Sequence, residues 1–144
     1  MPKKKGRKPT LKSLRNKSDK LLQATFMEKA ENKYCEGQRT VLVDGVKVSK
    51  GYRSCGKPAV CGHHFWTKAN SAALRYEHDN LVAVCAGCHL RHHQGAPELH
   101  VGVIERRGIE WFKALELKKN TTIVKPSAKY YNEILLCLSQ TKLQ

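Results

Sequence analysis

The chain has 144 residues, of which 40% are hydrophobic, so it can form one domain of ordinary size with a modest core. Its formal net charge of +15 makes a polyanion such as nucleic acid the expected partner. We find neither a secretory signal nor a membrane span, and therefore expect a cytoplasmic protein whose six cysteines stay reduced. A basic binding protein without enzymatic activity also fits this composition.

The first 20 residues carry nine basic residues against Asp19 alone, a net charge of +8. Residues 1–9 include two prolines and a glycine and show no apolar periodicity, which predicts a disordered arm that lies along a phosphate backbone. The arm residues expected to bind DNA are Lys3, Lys4, Lys5, Arg7 and Lys8. A nuclear-localisation signal is the alternative interpretation of this run.

Helical periodicity begins after the arm, and Thr10 is a suitable N-cap for it. The pattern predicts one helix within residues 10–31, with a basic face that either extends the DNA-contacting surface or is simply solvated. The recurring apolar residues are Leu11, Leu14, Leu21, Leu22, Phe26 and Ala30.

A β-hairpin is predicted next, because Asp44-Gly45 separates two runs rich in β-branched residues, 40–43 and 46–49. Since antiparallel strands return the chain, the cysteines beyond the two ends of this hairpin, Cys35 and Cys55, are expected to lie side by side.

Three helices are predicted after residue 96. The first two, Pro97–Arg107 and Ile109–Lys119, are broken at Gly108, and the second buries Ile109, Phe112 and Leu115. The last begins at Pro126 and runs toward Leu143. Its apolar face, which either closes the monomer core or forms a homodimer interface, includes Tyr130, Ile134 and Leu138, with Tyr131 and Cys137 as further members. We expect Cys137 to be a core residue.

The cysteines predict a structural zinc site. Cys85 and Cys88 form a Cys-x-x-Cys pair, in which two thiolates grip one ion, and a tetrahedral site requires two further soft ligands. The hairpin argument assigns these to Cys35 and Cys55. Cys61 competes for the fourth position, but we assign it to packing. Zn²⁺ bound there would supply much of the folding energy of so small a domain.

Gly62-His63-His64-Phe65, followed by Asn80-Leu81 and then Cys85-Ala-Gly-Cys88-His89, resembles the HNH, or ββα-metal, nuclease motif. The resemblance implies two strands and a helix around one divalent cation. It implies that His63 and His89 are metal ligands, that His64 is the general base, and that Asn80 ties the loop and orients the base. His93 lies one helical turn after His89 and is expected to be a third ligand, as in the histidine-rich branch of the family.

These residue types suit phosphodiester hydrolysis. A neutral imidazole can take a proton from water near neutral pH, and a bound dication stabilises the charge that develops on the phosphate and the departing oxygen. We expect Mg²⁺ or Mn²⁺ as the catalytic ion. His92 is expected to point away from this cluster, as a phosphate contact or a bystander. The main alternative for the histidines is a second structural zinc site shared with cysteines.

A closer resemblance covers about three quarters of the chain loosely. The segments are 10–21, 55–57, 62–65, 74–81 and 104–110, and they are similar to the phage NinG/Rap recombination endonucleases. This implies cleavage of branched DNA. The chain departs from that group in its zinc cysteine pair, which the hairpin separates, and in Cys88-His89, where the group tends to have Cys-Asn. Further phosphate contacts are expected from Lys68, Arg75 and Arg91.

The sequence thus predicts an α+β, zinc-stabilised ββα-metal core with a β-hairpin insertion and flanking helices. Its expected parts are a basic arm (1–9), an N-terminal helix (10–31), a nuclease core (32–100) and C-terminal helices (101–144). The expected function is metal-dependent cleavage of DNA, branched DNA above all, in phage-type recombination or repair. A homing or restriction-type nuclease and a non-catalytic zinc-dependent DNA-binding protein remain the alternatives.

Overall fold

The fold is α+β. The computed structural model describes residues 6–43 and 46–141, and the side chains of these residues except for 40–43 and 46–53. Lys3, Lys4 and Lys5, the Asp44-Gly45 turn and Leu143 lie outside the described residues. The helices are α1 (Leu11–Glu28), α2 (Ala86–His93), α3 (Pro97–Arg107), α4 (Ile109–Thr121) and α5 (Ala128–Thr141). The strands are β1 (Gln38–Val43), β2 (Val46–Ser54), β3 (Cys61–His64) and β4 (Leu81–Val84).

Helix α1 has the start that the sequence predicts, because the Thr10 hydroxyl accepts a hydrogen bond from the Ser13 N–H at 3.1 Å. The helix ends at Glu28, where Lys29 turns to an extended backbone. One of its last carbonyls, that of Phe26, accepts a hydrogen bond from the Asn32 side chain at 2.8 Å. Predicted and observed helices therefore agree to within a few residues.

Two antiparallel pairs of strands form the sheets. β1 pairs with β2, which confirms the predicted hairpin pairing, and Gln38 lies opposite Ser54 at its open end. β3 pairs with β4, with Cys61 opposite Val84 and His64 opposite Leu81. Helix α2 follows β4 after one residue, so β3, β4 and α2 form a strand, strand, helix unit in chain order.

Strand β4 is buried on both faces and separates two hydrophobic clusters. Leu81 and Ala83 belong to the cluster under α1 and α5. Val82 and Val84 belong to the cluster that contains the cysteines and the rings of Phe65, Trp66, Trp111 and Phe112. Because neighbouring residues of a strand alternate in direction, β3 also presents different side chains to the two clusters.

Helix α1 lies directly against β3 at Gly62. A Cβ at this position would lie 2.8 Å from the Phe26 ring, so only glycine permits the approach. The Gln23 amide also bonds the free edge of the strand, since its Nε2 donates to the Gly62 carbonyl at 2.8 Å and its Oε1 accepts from the Gly62 N–H at 2.9 Å. These contacts hold α1 close to the His63-His64 pair.

The C-terminal helices follow the prediction with local corrections. Gly108, at φ +95°, breaks α3 from α4 as expected. Ile109 is 53% exposed and not buried, because it precedes Leu115 by six residues and lies off the helical face that Leu115 defines. Within the described part of the chain, no helix is both long and apolar enough to cross a membrane.

Helix α5 begins at Ala128 and not at Pro126, because the Ser127 hydroxyl accepts the Tyr130 N–H at 3.0 Å and acts as its cap. Tyr131 and Leu138 are buried in the cluster under α1, so this face of α5 closes the core of the monomer. The expectation that Cys137 is a core residue is wrong. Its thiol is exposed, since it lies about 100° around the helix from Leu138.

Candidate functional site

The first part of the site is a cluster of four cysteines. The Sγ atoms of Cys35, Cys55, Cys85 and Cys88 all lie within 4.8 Å of one another, and this group could hold a metal such as zinc. The predicted grouping is therefore confirmed. Cys61, the competing candidate, lies outside this cluster and packs against the neighbouring core.

Backbone hydrogen bonds bring the two ends of the hairpin together, as the sequence argument expected. The Cys55 N–H donates to the Gly37 carbonyl at 2.7 Å, and the Gly56 N–H donates to the Cys35 carbonyl at 3.0 Å. On the other side of the cluster, Cys85 is the N-cap of α2, and its Sγ accepts the Cys88 N–H at 3.5 Å. The paired ends of the hairpin thus supply two thiols, and the start of α2 supplies the other two.

The surroundings of the cluster shift the pKa values of its thiols in opposite directions. Burial raises the pKa of Cys35 to about 12. Burial also acts to raise the pKa of Cys55, but hydrogen bonds from the Lys57 backbone and the Arg39 guanidinium outweigh it and lower that pKa to about 6. Arg39 also lies 3.8 Å from Cys88 Sγ. This positive charge would partly offset the negative charge of four thiolates if they held a metal ion.

The second part of the site is a group of three histidines, His63, His89 and His93, whose ring nitrogens lie within 4.8 Å of one another. His63 comes from β3, and the other two lie one turn apart on α2, with their Nε2 atoms 3.0 Å from each other. Burial and the neighbouring imidazoles lower the pKa of His63 to about 3, so at neutral pH it offers an unprotonated nitrogen. The donor set fits a divalent cation.

His92 does not point away from this cluster, as the sequence argument expected. Its ring stacks on that of His63, with 4.5 Å between centroids and an interplanar angle of 26°. Residues three apart on a helix also share a face, and this brings His92 alongside His89. Burial and neighbouring positive groups lower the pKa of His92 to about 4, so it is neutral at pH 7.

Cys61 contacts the histidine group, although the sequence assigned it to packing alone. It lies on the same face of β3 as His63, and its Sγ is 3.6 Å from His89 Nδ1. A contact at Nδ1 leaves the Nε2 of His89 facing His93. The strand alternation was visible in the sequence, but the position of α2 over it was not.

His64 lies on the opposite face of β3 from His63 and is 8% exposed. Its Nε2 lies 2.8 Å from the Arg75 carbonyl, and because a carbonyl can only accept, this nitrogen donates. Nδ1 is then the nitrogen with a free lone pair. Burial and the nearby charges of Lys68 and Arg75 lower the pKa of His64, although the carbonyl acts in the opposite direction.

Asn80 is fully buried and holds the loop between β3 and β4. Its Oδ1 accepts the Trp66 N–H at 2.9 Å, and its Nδ2 donates to the carbonyls of Trp66 and Leu74 at 3.0 and 3.2 Å. The Leu74 carbonyl directly precedes the Arg75 carbonyl that His64 contacts. Asn80 therefore acts on His64 through the loop.

An open cleft of about 780 Å³ joins these groups at the free edge of β3. The histidines His63, His64, His89 and His93 line it, together with Ala24 and Met27 of α1. Lys68 lies at this cleft and is exposed. The cleft can admit an extended ligand to both the three-histidine group and His64.

The comparisons with known proteins give no family. No family model, curated protein or solved structure matches this chain.

The residues predicted to contact DNA differ in whether they form ion pairs within the protein. Arg7 and Lys8 are exposed. Arg91 pairs with Glu98 at 2.6 Å, and Arg75 pairs with Asp19 at 2.7 Å. The sequence argument did not identify Gln23, Gly37, Arg39 or Asp19 as site residues, although Asp19 had a signal in being the sole acid among the first 20 residues.

Proposed function

We propose that this protein is a zinc-stabilised, divalent-metal-dependent DNA endonuclease of the HNH type. One observation carries the proposal. Three imidazoles converge on one open cleft, and a fourth, His64, borders the same cleft with Nε2 bonded to a carbonyl and Nδ1 free. A purely structural metal site needs no base beside it and no open cleft.

In this proposal His63, His89 and His93 hold the catalytic ion. When bound, the ion would polarise the scissile phosphate and stabilise the negative charge that develops on the departing oxygen. Mg²⁺ and Mn²⁺ are the proposed ions. Imidazole ligands are softer than carboxylates, which favours Mn²⁺ in affinity, while Mg²⁺ is favoured by its abundance in cells.

His64 acts as the general base. Its Nδ1 takes the proton from the attacking water while its Nε2–H remains bonded to the Arg75 carbonyl. That bond selects the tautomer and supports the imidazolium ring that forms. The lowered pKa of His64 keeps the ring in its basic form at neutral pH.

The cysteine cluster has a different role in this proposal, as a structural Zn²⁺ site. It includes the first turn of α2, and the same short helix carries His89 and His93. Zinc bound to Cys85 and Cys88 would therefore fix the orientation of two catalytic-metal ligands. The four-thiolate set offers no open position for chemistry.

DNA is the proposed substrate because of the net charge of +15 and the exposed Lys68 at the cleft. The basic arm would add phosphate contacts beyond the cleft. The resemblance to the NinG/Rap group favours branched DNA as the preferred form. A homing or restriction-type nuclease differs from this only in its choice of DNA.

The test is cleavage and binding of linear and four-way-junction DNA by the wild type and His64→Ala, with Mg²⁺ and separately with Mn²⁺. We expect metal-dependent cleavage that His64→Ala abolishes while DNA affinity and zinc content stay unchanged. His100→Ala changes a histidine outside the cleft, whose ring stacks on Phe65, and should cleave normally. Preference for the junction would support the branched-DNA assignment.

If neither protein cleaves DNA with any metal while both bind it equally, the nuclease proposal fails. The alternative of a non-catalytic zinc-dependent DNA-binding protein then accounts better for the charge and the cysteine cluster.

A further inference from the structure

The carbonyl that holds His64 belongs to Arg75, and the side chain of Arg75 is itself held from another element. Its Nε donates to Asp19 Oδ1 at 3.0 Å, and its Nη2 donates to Asp19 Oδ2 at 2.7 Å. This is a two-point pair between α1 and the β3–β4 loop, 56 residues apart in the chain. Bidentate pairs of this kind fix orientation as well as distance.

The Asp19–Arg75 pair is partly removed from solvent. The two side chains are 22% and 20% exposed, respectively. Burial acts to raise the pKa of Asp19, but the hydrogen bonds and charge of Arg75 outweigh it, and the carboxyl stays ionised below its ordinary pKa. Such a pair is better ordered than an exposed surface ion pair.

The loop is thus held at two adjacent residues. The Asn80 side chain donates to the carbonyl of Leu74, and the carboxylate of Asp19, on α1, accepts from the side chain of Arg75. The Arg75 carbonyl, which directly follows both contacts along the chain, is the hydrogen-bond acceptor of His64 Nε2. Loss of either anchor should therefore loosen this acceptor.

We propose that Asp19 is a positioning residue for the base: through Arg75 it fixes the carbonyl that sets the orientation and tautomer of His64. The inference rests on the proposed nuclease function and extends it to α1. It also explains why a single acid lies within a segment of net charge +8, where it opposes DNA binding. Arg75 serves chiefly as the ion-pair partner of Asp19. Lys68 remains the proposed phosphate contact at the cleft.

The positioning role is distinguished from a role in DNA binding by the direction in which DNA affinity changes. Asp19→Asn removes a negative charge, so it should leave DNA affinity unchanged or raise it. Misplacement of a catalytic group by about 1 Å can reduce turnover by about 100-fold. We therefore expect Asp19→Asn to lower kcat by about 10-fold to 100-fold. KM should not rise, and DNA affinity should not fall, relative to the wild type.

Arg75→Lys provides the second arm of the test. It keeps the charge that a phosphate contact requires but loses the bidentate geometry. We expect a fall in kcat like that of Asp19→Asn, and the double variant should be no worse than either single variant. Glu77→Gln is the matched control, because it removes an exposed ion pair with Lys118 from the same loop and should leave kcat unchanged.

A direct structural measurement keeps the inference testable if no activity is found. Long-range ¹H–¹⁵N NMR spectra at pH 7.5 should show His64 of the wild type as the Nε2–H tautomer and should show a mixture in Asp19→Asn. Zinc content and the thermal unfolding midpoint identify variants that have lost the fold.

The inference is overturned if Asp19→Asn cleaves like Glu77→Gln, or if its loss of activity is explained by lost zinc or a lost fold. Unchanged His64 spectra in Asp19→Asn would overturn it as well. Absence of cleavage by the wild type would instead refute the proposed function, and the NMR result would still decide the role of Asp19.

Discussion

Replacing Gly37 with alanine would place a methyl group inside the cysteine cluster. The new Cβ would lie 2.6 Å from Cys88 Sγ and 3.1 Å from Cys35 Sγ. Since ordinary van der Waals contact begins near 3.4 Å, Cys88 Sγ must move by about 0.8 Å. A zinc site tolerates about 0.2 Å of error in its ligand distances, so the displacement should weaken metal binding.

The size of the effect follows from the cost of overpacking, about 1–3 kcal/mol. If this cost falls only on the metal-bound state, it corresponds to about 5-fold to 150-fold weaker zinc affinity. We would measure zinc release to a chromogenic chelator and the thermal unfolding midpoint, and expect faster release and a lower midpoint for Gly37→Ala.

Gly87→Ala is the matched control, because it also lies beside the cysteines but its Cβ would meet no atom within 4 Å. It should hold zinc as the wild type does. Equal zinc retention by Gly37→Ala and the wild type would refute the reasoning that this glycine is required by close approach of two thiols.

Three further changes have expected outcomes. Gly62→Ala would set a Cβ 2.8 Å from the Phe26 ring. It should lower the free energy of unfolding, measured in urea, by about 1–3 kcal/mol. An unchanged urea midpoint would contradict the close packing of α1 on β3. His63 and His92, whose pKa values are lowered to about 3 and about 4, contribute stability that is complete above about pH 6.5 and is lost as the pH falls toward those values. The zinc-loaded protein should therefore lose stability in urea between pH 6.5 and 4.5, and His92→Gln should show a shallower decline; parallel curves would count against the buried, neutral state. His93→Ala should raise the Mn²⁺ concentration needed for cleavage by about 10-fold or more while bound zinc, measured by elemental analysis, stays constant; loss of zinc in parallel would merge the two sites into one.

The short helix α2 connects the cysteine cluster with the three-histidine group. Its N-terminus is capped by Cys85, and its last turn carries His92 and His93. With eight residues, such a helix has little stability of its own in water, because its nucleation cost is spread over few hydrogen bonds. Metal at the cysteine cluster would supply the missing stability and would make the histidine group dependent on it.

Much of the local structure was predictable because it rests on signals within one segment. The cap at Thr10 and the apolar spacing of α1 are local, as is the break at Gly108 between α3 and α4. The hairpin was also predictable, since its β-branched runs and turn residues are contiguous, and it decided between Cys35 and Cys61 as the fourth cysteine. The errors at Ile109 and Cys137 came from assigning apolar residues to a helix face without knowing the face's direction.

By itself, the sequence determined the α+β class, the grouping of the four cysteines and the four histidines that line the cleft. Only the tertiary structure decided which nitrogen of His64 is free, that His92 stacks on His63, and that Asp19 holds Arg75. The physical reason is distance along the chain. These contacts join α1, the β3–β4 loop and α2, and they depend on how Gly62 lets α1 approach the strand, which no periodicity within a single segment encodes.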